Sequence, residues 1–122
     1  MKIIIYVMLL SSLIACSNKS GKEEKELATQ AFINCDFYSA KQNAELAVEY
    51  GGENVEVVVP ALLIIGKSSE FLGQQNTAYD RIVTLVPGIN NKSEAEKIAD
   101  QFINQLSKMA PEKVKACPEL QS

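Results

Sequence analysis

The sequence ALLIIGKSSEFL, residues 61–72, is strongly apolar and predicts the most buried helix of the chain. Gly73 ends this helix, because glycine adopts the left-handed conformation after a helix without a steric penalty. The preceding residues 54–59 are ambiguous, since Val-Glu-Val-Val-Val is β-branched and can be extended. Proline suits the first turn of a helix, so the helix is predicted to begin either at Pro60 or near Val57.

Two amphipathic helices are predicted on the N-terminal side of this stretch, over residues 23–34 and 37–50. Asp36 is a suitable N-cap for the second helix, because its carboxylate can accept hydrogen bonds from the free amides of the first turn. Gly51-Gly52 ends that helix. The apolar positions recur at steps of three and four residues: Leu27, Ala28, Ala31 and Phe32 in the first helix, and Phe37, Ala40, Ala44, Ala47 and Val48 in the second.

Two further helices are predicted on the C-terminal side, giving an all-α fold of about five helices. The fourth covers residues 75–86 and is closed by Pro87-Gly88. The fifth begins with a capping box, in which Ser93 covers the amide of Glu96 and Glu96 reaches back to the amide of Ser93. The inward positions are Ala78, Ile82, Leu85 and Val86 in the fourth helix, and Ala95, Ile98, Ala99, Phe102, Leu106 and Met109 in the fifth.

The chain partly matches itself when it is shifted by 38 residues, so that Cys35 falls on Gly73. At several of the matched positions one or both residues are small. Small residues at these positions are typical of helical hairpins whose backbones approach closely. The matched pairs are Leu27 and Ile65, Ala28 and Gly66, Ala40 and Ala78, Ala44 and Ile82, Ala47 and Leu85, and Val48 and Val86.

This internal match resembles the tetratricopeptide repeat, a helical hairpin of about 34 residues. The resemblance covers about residues 24–87, although the aromatic residue expected early in the first helix is missing and the period is longer. It implies two antiparallel hairpins, with residues 93–109 forming a helix that covers their exposed apolar end. A plain helical bundle remains the alternative. The matching residues are Ile65, Gly66, Phe71, Leu72, Gly73, Ala78, Ile82 and Leu85, with Asp36, Phe37, Tyr38, Ser39, Ala40, Ala44 and Ala47.

The N-terminal segment carries Lys2, a short apolar run and then Leu13-Ile14-Ala15-Cys16. This ending resembles the lipobox of bacterial lipoproteins, and the run is shorter than the roughly 20 residues of a membrane-spanning helix. The resemblance implies that a signal peptide of residues 1–15 is removed and that Cys16 carries the lipid that holds the protein on the membrane. An ordinary secretory signal with an incidental cysteine is the alternative.

The same resemblance predicts the location of the protein. Ser17, rather than Asp, follows the lipidated cysteine, which favours sorting to the outer membrane with the domain facing the periplasm. In a source with one membrane, the chain would be anchored outside the cytoplasmic membrane. The predicted organisation is a signal peptide, a lipidated tether, a helical domain and a polar C-terminal tail, at residues 1–15, 16–22, 23–110 and 111–122.

Cys35 and Cys117 remain after lipidation of Cys16. In an oxidising compartment the two thiols can form a disulfide, which would tie the tail to the first hairpin. Two independent cysteines are the alternative.

Composition argues against several classes of function. The chain has 12 basic and 15 acidic residues, which are interspersed, and lacks the basic patch that nucleic acid binding requires. It has no histidine and no recognisable catalytic, phosphate-binding or metal-binding motif. The expectation is therefore a protein that is not an enzyme, with no cofactor, no metal and no small-molecule substrate.

The predicted function is that of an adapter, which holds another envelope protein of a secretion, conjugation or pilus-assembly machine. An exclusion, immunity or inhibitor lipoprotein is the main alternative, and a structural lipoprotein without a dedicated ligand is the third. Helical geometry predicts exposed partner-binding residues on the second helix of each hairpin: Tyr38, Lys41, Gln42, Tyr79 and Arg81.

Overall fold

The computed structural model describes residues 20–109, and within this range the chain forms helices joined by short connections, with no strand. The prediction of an all-α fold with about five helices is confirmed. The predicted tail, most of the tether and the signal peptide lie outside the described residues. The helices are α1, Lys22–Ile33; α2, Phe37–Gly51; α3, Val55–Leu72; α4, Ala78–Leu85; and α5, Lys92–Met109.

Each helix packs against the next one in the chain, and α3 also contacts α1 and α5. The connections are short, so that consecutive helices run antiparallel. Helix α3 therefore lies at the centre, and it is buried along most of its length. Its buried residues are Val57, Val58, Ala61, Leu62, Leu63, Ile64, Ile65, Gly66, Ser68 and Ser69.

Helix α3 begins at Val55, two residues before the earlier of the two predicted starts, and not at Pro60. Its N-cap is Asn54, whose side-chain Oδ1 accepts a hydrogen bond of 3.1 Å from the amide of Glu56. Pro60 therefore lies inside the helix, beyond the first turn. Because proline has no amide proton, the carbonyl of Glu56 loses its usual partner. The capping asparagine and the burial of Val57 and Val58 outweigh this loss and the β-branched character of the segment.

Helix α4 is shorter than predicted, because residues 74–77 form a connection instead of its first turn. The side-chain Oδ1 of Asn76 accepts a hydrogen bond of 2.9 Å from the amide of Ala78, the first residue of the helix. This bond satisfies an amide that the helix itself cannot.

The predicted capping box of Ser93 and Glu96 is wrong. Helix α5 begins at Lys92, so that Ser93 already lies in its first turn. Two other bonds cap the helix instead. Asn91 Oδ1 accepts from the amide of Glu94 at 2.9 Å, and Glu94 Oε2 accepts from the amide of Asn90 at 2.8 Å.

The buried face of the outer helices also differs in part from the prediction. In α5, Met109 is 78% exposed and Ile103 is buried. In α1, Leu27 is 50% exposed, whereas Ala28 and Phe32 are completely buried. Within residues 20–109, no neighbouring helix covers the side chain of Leu27 or of Met109.

The turn between α1 and α2 has the same backbone geometry as the turn at the end of α3. The two turns are separated by the shift that matches the sequence to itself. Cys35 and Gly73 both adopt the left-handed conformation, with φ of 68° and 69°. The amide of Cys35 donates to the carbonyl of Phe32, as the amide of Gly73 does to that of Glu70, at 3.1 and 3.2 Å. The next amide donates five residues back in both turns, from Asp36 to Ala31 and from Gln74 to Ser69, at 2.9 and 2.8 Å. Both turns are therefore Schellman motifs.

Lys67 joins α3 to α5 through Asp100, and it also pairs with Glu70 of its own helix. Its Nζ lies 2.8 Å from Glu70 Oε2 and 2.7 Å from Asp100 Oδ1, and its side chain is only 15% exposed. Burial alone would lower the pKa of Lys67, but the hydrogen bonds and charges of Asp100 and Glu70 outweigh burial and raise it.

The raised pKa of Lys67 predicts a stabilisation that depends on its charge. A raised pKa stabilises the fold at pH values below the unfolded pKa of about 10.5, and this stabilisation is lost as the pH rises through the folded value. Since Asp100 is 63% exposed, Asp100→Asn should lower the free energy of unfolding at neutral pH by only about 0.2–1 kcal/mol.

Urea unfolding curves at neutral pH and above the pKa of Lys67 check this expectation. The deficit of the Asp100→Asn variant should disappear at the higher pH. The exposed Glu53, in the connection before α3, provides the control. The free energy of unfolding of the Glu53→Gln variant should change between the two pH values by as much as that of the wild-type protein. A deficit of the same size at both pH values would contradict the role of the ion pair.

Candidate functional site

Two of the predicted partner-binding residues, Lys41 of α2 and Arg81 of α4, line one cleft with a volume of about 230 Å³. We call it the Lys41–Arg81 cleft. Apolar side chains of α3 and polar groups before α4 complete it. Its lining residues are Lys41, Glu45, Leu62, Ile65, Gln75, Asn76, Thr77, Ala78 and Arg81.

A residue of the connection between α3 and α4 fixes the position of Lys41 in this cleft. The ammonium group of Lys41 donates a hydrogen bond of 2.7 Å to Oε1 of Gln74, which holds the lysine at the rim. Arg81 is exposed and makes no ion pair with another described residue. The cleft thus combines an apolar floor, formed by Leu62 and Ile65, with a rim that carries two cations and the carboxylate of Glu45.

Tyr38 and Gln42 are exposed on α2, in agreement with the predicted exposure, and Tyr38 is 60% exposed. Neither residue lines the Lys41–Arg81 cleft.

The prediction that Tyr79 lies at the surface is wrong, because its side chain is only 2% exposed. Its ring rests on Gly66 of α3. A Cβ atom added to Gly66 would lie 2.6 Å from both Cε1 and Cζ of the tyrosine ring. The absence of a side chain at Gly66 therefore creates the space that the ring fills.

A second cleft lies where Tyr79 reaches the space between α3, α4 and α5, and its volume is about 350 Å³. We call it the Tyr79 cleft. This cleft was not predicted from the sequence, although the polar run Gln74-Gln75-Asn76 between two helices is a signal for it. Its lining residues are Glu70, Gln74, Gln75, Asn76, Tyr79, Lys92 and Glu96.

The hydroxyl of Tyr79 is buried and makes no hydrogen bond. Burial raises the pKa of Tyr79 far above its ordinary value of 10, and the negative charges of Glu70 and Glu96 raise it further. The tyrosine therefore remains a neutral phenol, which can donate one hydrogen bond and accept others.

An apolar groove of about 400 Å³ lies between the start of α3 and the end of α4. Val55 and Leu85 expose apolar side chains there, at 50% and 39%. The groove is lined by Val55, Glu56, Val59, Pro60, Leu85, Val86 and Pro87.

The remaining predicted sites are the three cysteines. Cys35, in the turn between α1 and α2, is disulfide-bonded. Cys16, the predicted lipidation site, and Cys117, the predicted partner of Cys35, lie outside the described residues. The pairing of Cys35 with Cys117 therefore stays a prediction.

Residues 20–109 contain neither a candidate metal site nor a membrane-spanning helix. No three His, Cys, Asp or Glu side chains in this range are placed to hold a metal ion. None of the helices there has the length and apolar character needed to span a membrane.

Comparison of the chain with protein-family models, with curated proteins and with solved structures found no match.

Proposed function

We propose that the protein is a lipoprotein of the outer membrane, anchored through lipid on Cys16, whose periplasmic helical domain is an adapter for another protein of an envelope machine. The observation that carries the proposal is the Lys41–Arg81 cleft. Its position between α2 and α4 places it between the second helices of two consecutive hairpins, and residues from both hairpins contribute to it.

The chemistry of this cleft fits an extended protein segment. Leu62 and Ile65 form a floor for an apolar side chain, and Lys41 and Arg81 can pair with carboxylates of the segment. Guanidinium groups bind carboxylates with two parallel hydrogen bonds, which adds specificity as well as affinity. An adapter of this kind would select an acidic segment with an apolar residue.

Tetratricopeptide-like stacking of the helices is part of the proposal. In such stacks each hairpin contacts only its neighbours, and the first helices of adjacent hairpins touch. The contacts of α1 with α3 and of α3 with α5 support this arrangement, as do the two identical Schellman turns. In this arrangement α5 covers the end of the second hairpin.

Reversing the charge at Arg81 is the test of the adapter. Arg81→Glu should weaken capture of the partner, because it replaces attraction with repulsion at the cleft. It should change the free energy of unfolding by less than about 0.5 kcal/mol, since Arg81 is exposed. Lys97→Glu, an exposed change of the same charge on α5 outside the cleft, is the matched control.

The measurement is cross-linking in the native membrane, followed by affinity purification, identification of the partner and thermal unfolding of the same variants. Equal capture by the Arg81→Glu and Lys97→Glu variants would contradict the assignment of the cleft. Failure of the wild-type protein to capture any envelope protein would contradict the adapter itself. Capture of a toxin or of a transfer apparatus that the protein blocks would instead establish the inhibitor function.

The anchor is tested separately by Cys16→Ala. Without the thiol there is no site for the lipid, so the variant should accumulate as an unprocessed precursor that lacks acyl groups. Metabolic labelling with a fatty acid and the mass of the purified chain measure both effects. Processing to the normal size with lipid still attached would show that another residue carries the anchor.

A further inference from the structure

The chain enters the helical domain at the end where α3 begins. A Cβ atom added to Gly21, just before α1, would lie 3.0 Å from Cγ1 of Val57 and 2.6 Å from the carbonyl oxygen of Ala47. A Cβ atom added to Gly51, the last residue of α2, would also lie 3.0 Å from Cγ1 of Val57. The start of α1, the end of α2 and the start of α3 therefore meet at one end of the domain, which we call the entry end.

The opposite end of the domain is formed where α3 finishes. The ring of Phe37, at the start of α2, lies 4.7 Å from that of Phe71, near the end of α3. Lys41 donates its hydrogen bond to Gln74, in the connection that follows α3. The Lys41–Arg81 cleft thus lies toward this opposite end. Helix α3 has 18 residues, so that the two ends are separated by about 27 Å.

The apolar groove between the start of α3 and the end of α4 lies at the entry end. Val55, which is 50% exposed, is the first residue of α3, and Leu85, which is 39% exposed, is the last residue of α4. Among the described residues that line the groove, Glu56 is the one charged group. An exposed apolar surface with a polar rim is typical of a site that contacts another protein or a membrane.

The distance to the predicted anchor favours the membrane. Cys16, to which the proposed function assigns the lipid, precedes Gly21 by five residues. Five residues of extended chain span at most about 18 Å. The lipid would therefore hold the entry end within that distance of the bilayer surface. Such a short link gives the bilayer a high effective concentration at the groove, so that even a weak apolar contact is populated.

From this arrangement we propose that the apolar groove docks on the surface of the phospholipid bilayer in which the lipid of Cys16 is anchored. Its exposed apolar side chains enter the interface, because their removal from water is favourable. A zwitterionic headgroup fits the groove better than an anionic one, since its ammonium group can lie beside Glu56. The docking rests on the proposed lipid anchor, but it does not depend on the adapter function.

Tryptophan fluorescence of the full lipidated protein in vesicles tests the docking, because the chain has no tryptophan of its own. Leu85→Trp places the probe in the groove, and Tyr38→Trp places it at an exposed position at the opposite end. The vesicles contain phosphatidylethanolamine and phosphatidylcholine with bromine on the acyl chains near the headgroups. The emission of Leu85→Trp should shift to shorter wavelength and be quenched by the brominated lipid, whereas that of Tyr38→Trp should do neither.

A second substitution in the Leu85→Trp protein assigns the contact to the groove. Val55→Asp should abolish the quenching, because it places a charge in the apolar interface. Aspartate is compatible with the first turn of a helix, so that the fold should be retained, as thermal unfolding would verify. Leu46→Asp is the matched control, since Leu46 is exposed on α2 outside the groove, and it should leave the quenching unchanged.

The outcomes separate the docking from the anchor. Flotation of the protein with the vesicles, without stronger quenching of Leu85→Trp than of Tyr38→Trp, would overturn the docking and leave the anchor intact. Failure of the wild-type protein to float would overturn the anchor and the docking together. Quenching that survives Val55→Asp would show that another surface meets the bilayer.

A second copy of the chain on the groove would give a different result. The emission of Leu85→Trp would then shift to shorter wavelength as the ratio of protein to lipid rises, without quenching by the brominated lipid. This result would also overturn the docking. Loss of partner capture by the Arg81→Glu variant has no bearing on any of these measurements.

Discussion

Phe32→Ala is expected to lower the free energy of unfolding by about 3–5 kcal/mol. Phe32 is completely buried, and its ring lies 5.2 Å from that of Phe37 and 6.0 Å from that of Phe71. The three rings join α1, α2 and α3, and the Phe37 and Phe71 centroids are 4.7 Å apart. Loss of the central ring leaves a cavity that cannot close without moving three helices.

Leu27→Ala is the matched control for this prediction. It shortens a large apolar side chain on the same helix. Because Leu27 is 50% exposed, this substitution should lower the free energy of unfolding much less than Phe32→Ala does. Denaturant unfolding of both variants measures the difference. Equal losses of stability would show that α1 packs with a different face toward α2 and α3.

Gly66→Ala is expected to destabilise the protein by about 1–3 kcal/mol, which is the usual cost of overpacking a core. Intrinsic helix propensity predicts the opposite sign, since alanine is favoured over glycine inside a helix by about 1 kcal/mol. The added methyl group would lie 2.6 Å from the ring of Tyr79, which is itself buried and cannot move away freely.

A double-mutant cycle with Tyr79→Leu isolates this contact. Leucine lacks the outer ring atoms that the methyl group would meet, so in the Tyr79→Leu background Gly66→Ala should become neutral or stabilising. Thermal or urea unfolding of the four proteins gives the coupling free energy. Additive effects of the two substitutions would contradict the close packing of Gly66 on Tyr79.

The existence and order of the helices could be predicted because local signals agree with the fold. Amphipathic spacing predicts α1, α2 and α5, and Asp36 is the N-cap of α2 as expected, with its Oδ1 accepting from the amide of Ser39 at 3.1 Å. Helix starts were less predictable, since several polar residues compete for the cap. Asn91 caps α5 instead of Ser93, and Asn54 starts α3 before Pro60.

The candidate sites depend on contacts between distant parts of the chain, and these have no local signal. Gly66 was recognised as a small residue that permits close approach, but the sequence does not show that the ring of Tyr79 fills the space. Glu70 and Glu96 belong to different helices, and only the packing of α5 brings them to one cleft. By contrast, Lys41 and Arg81 could be predicted, because each lies on the polar side of its own helix.

The central position of α3 has a consequence for how the domain opens. In long helical arrays, single units can unfold while the rest stays folded, because each contacts only its neighbours. Here α3 contacts all four other helices, so that its unfolding removes packing from every one of them. The five helices are thus expected to unfold together rather than one pair at a time.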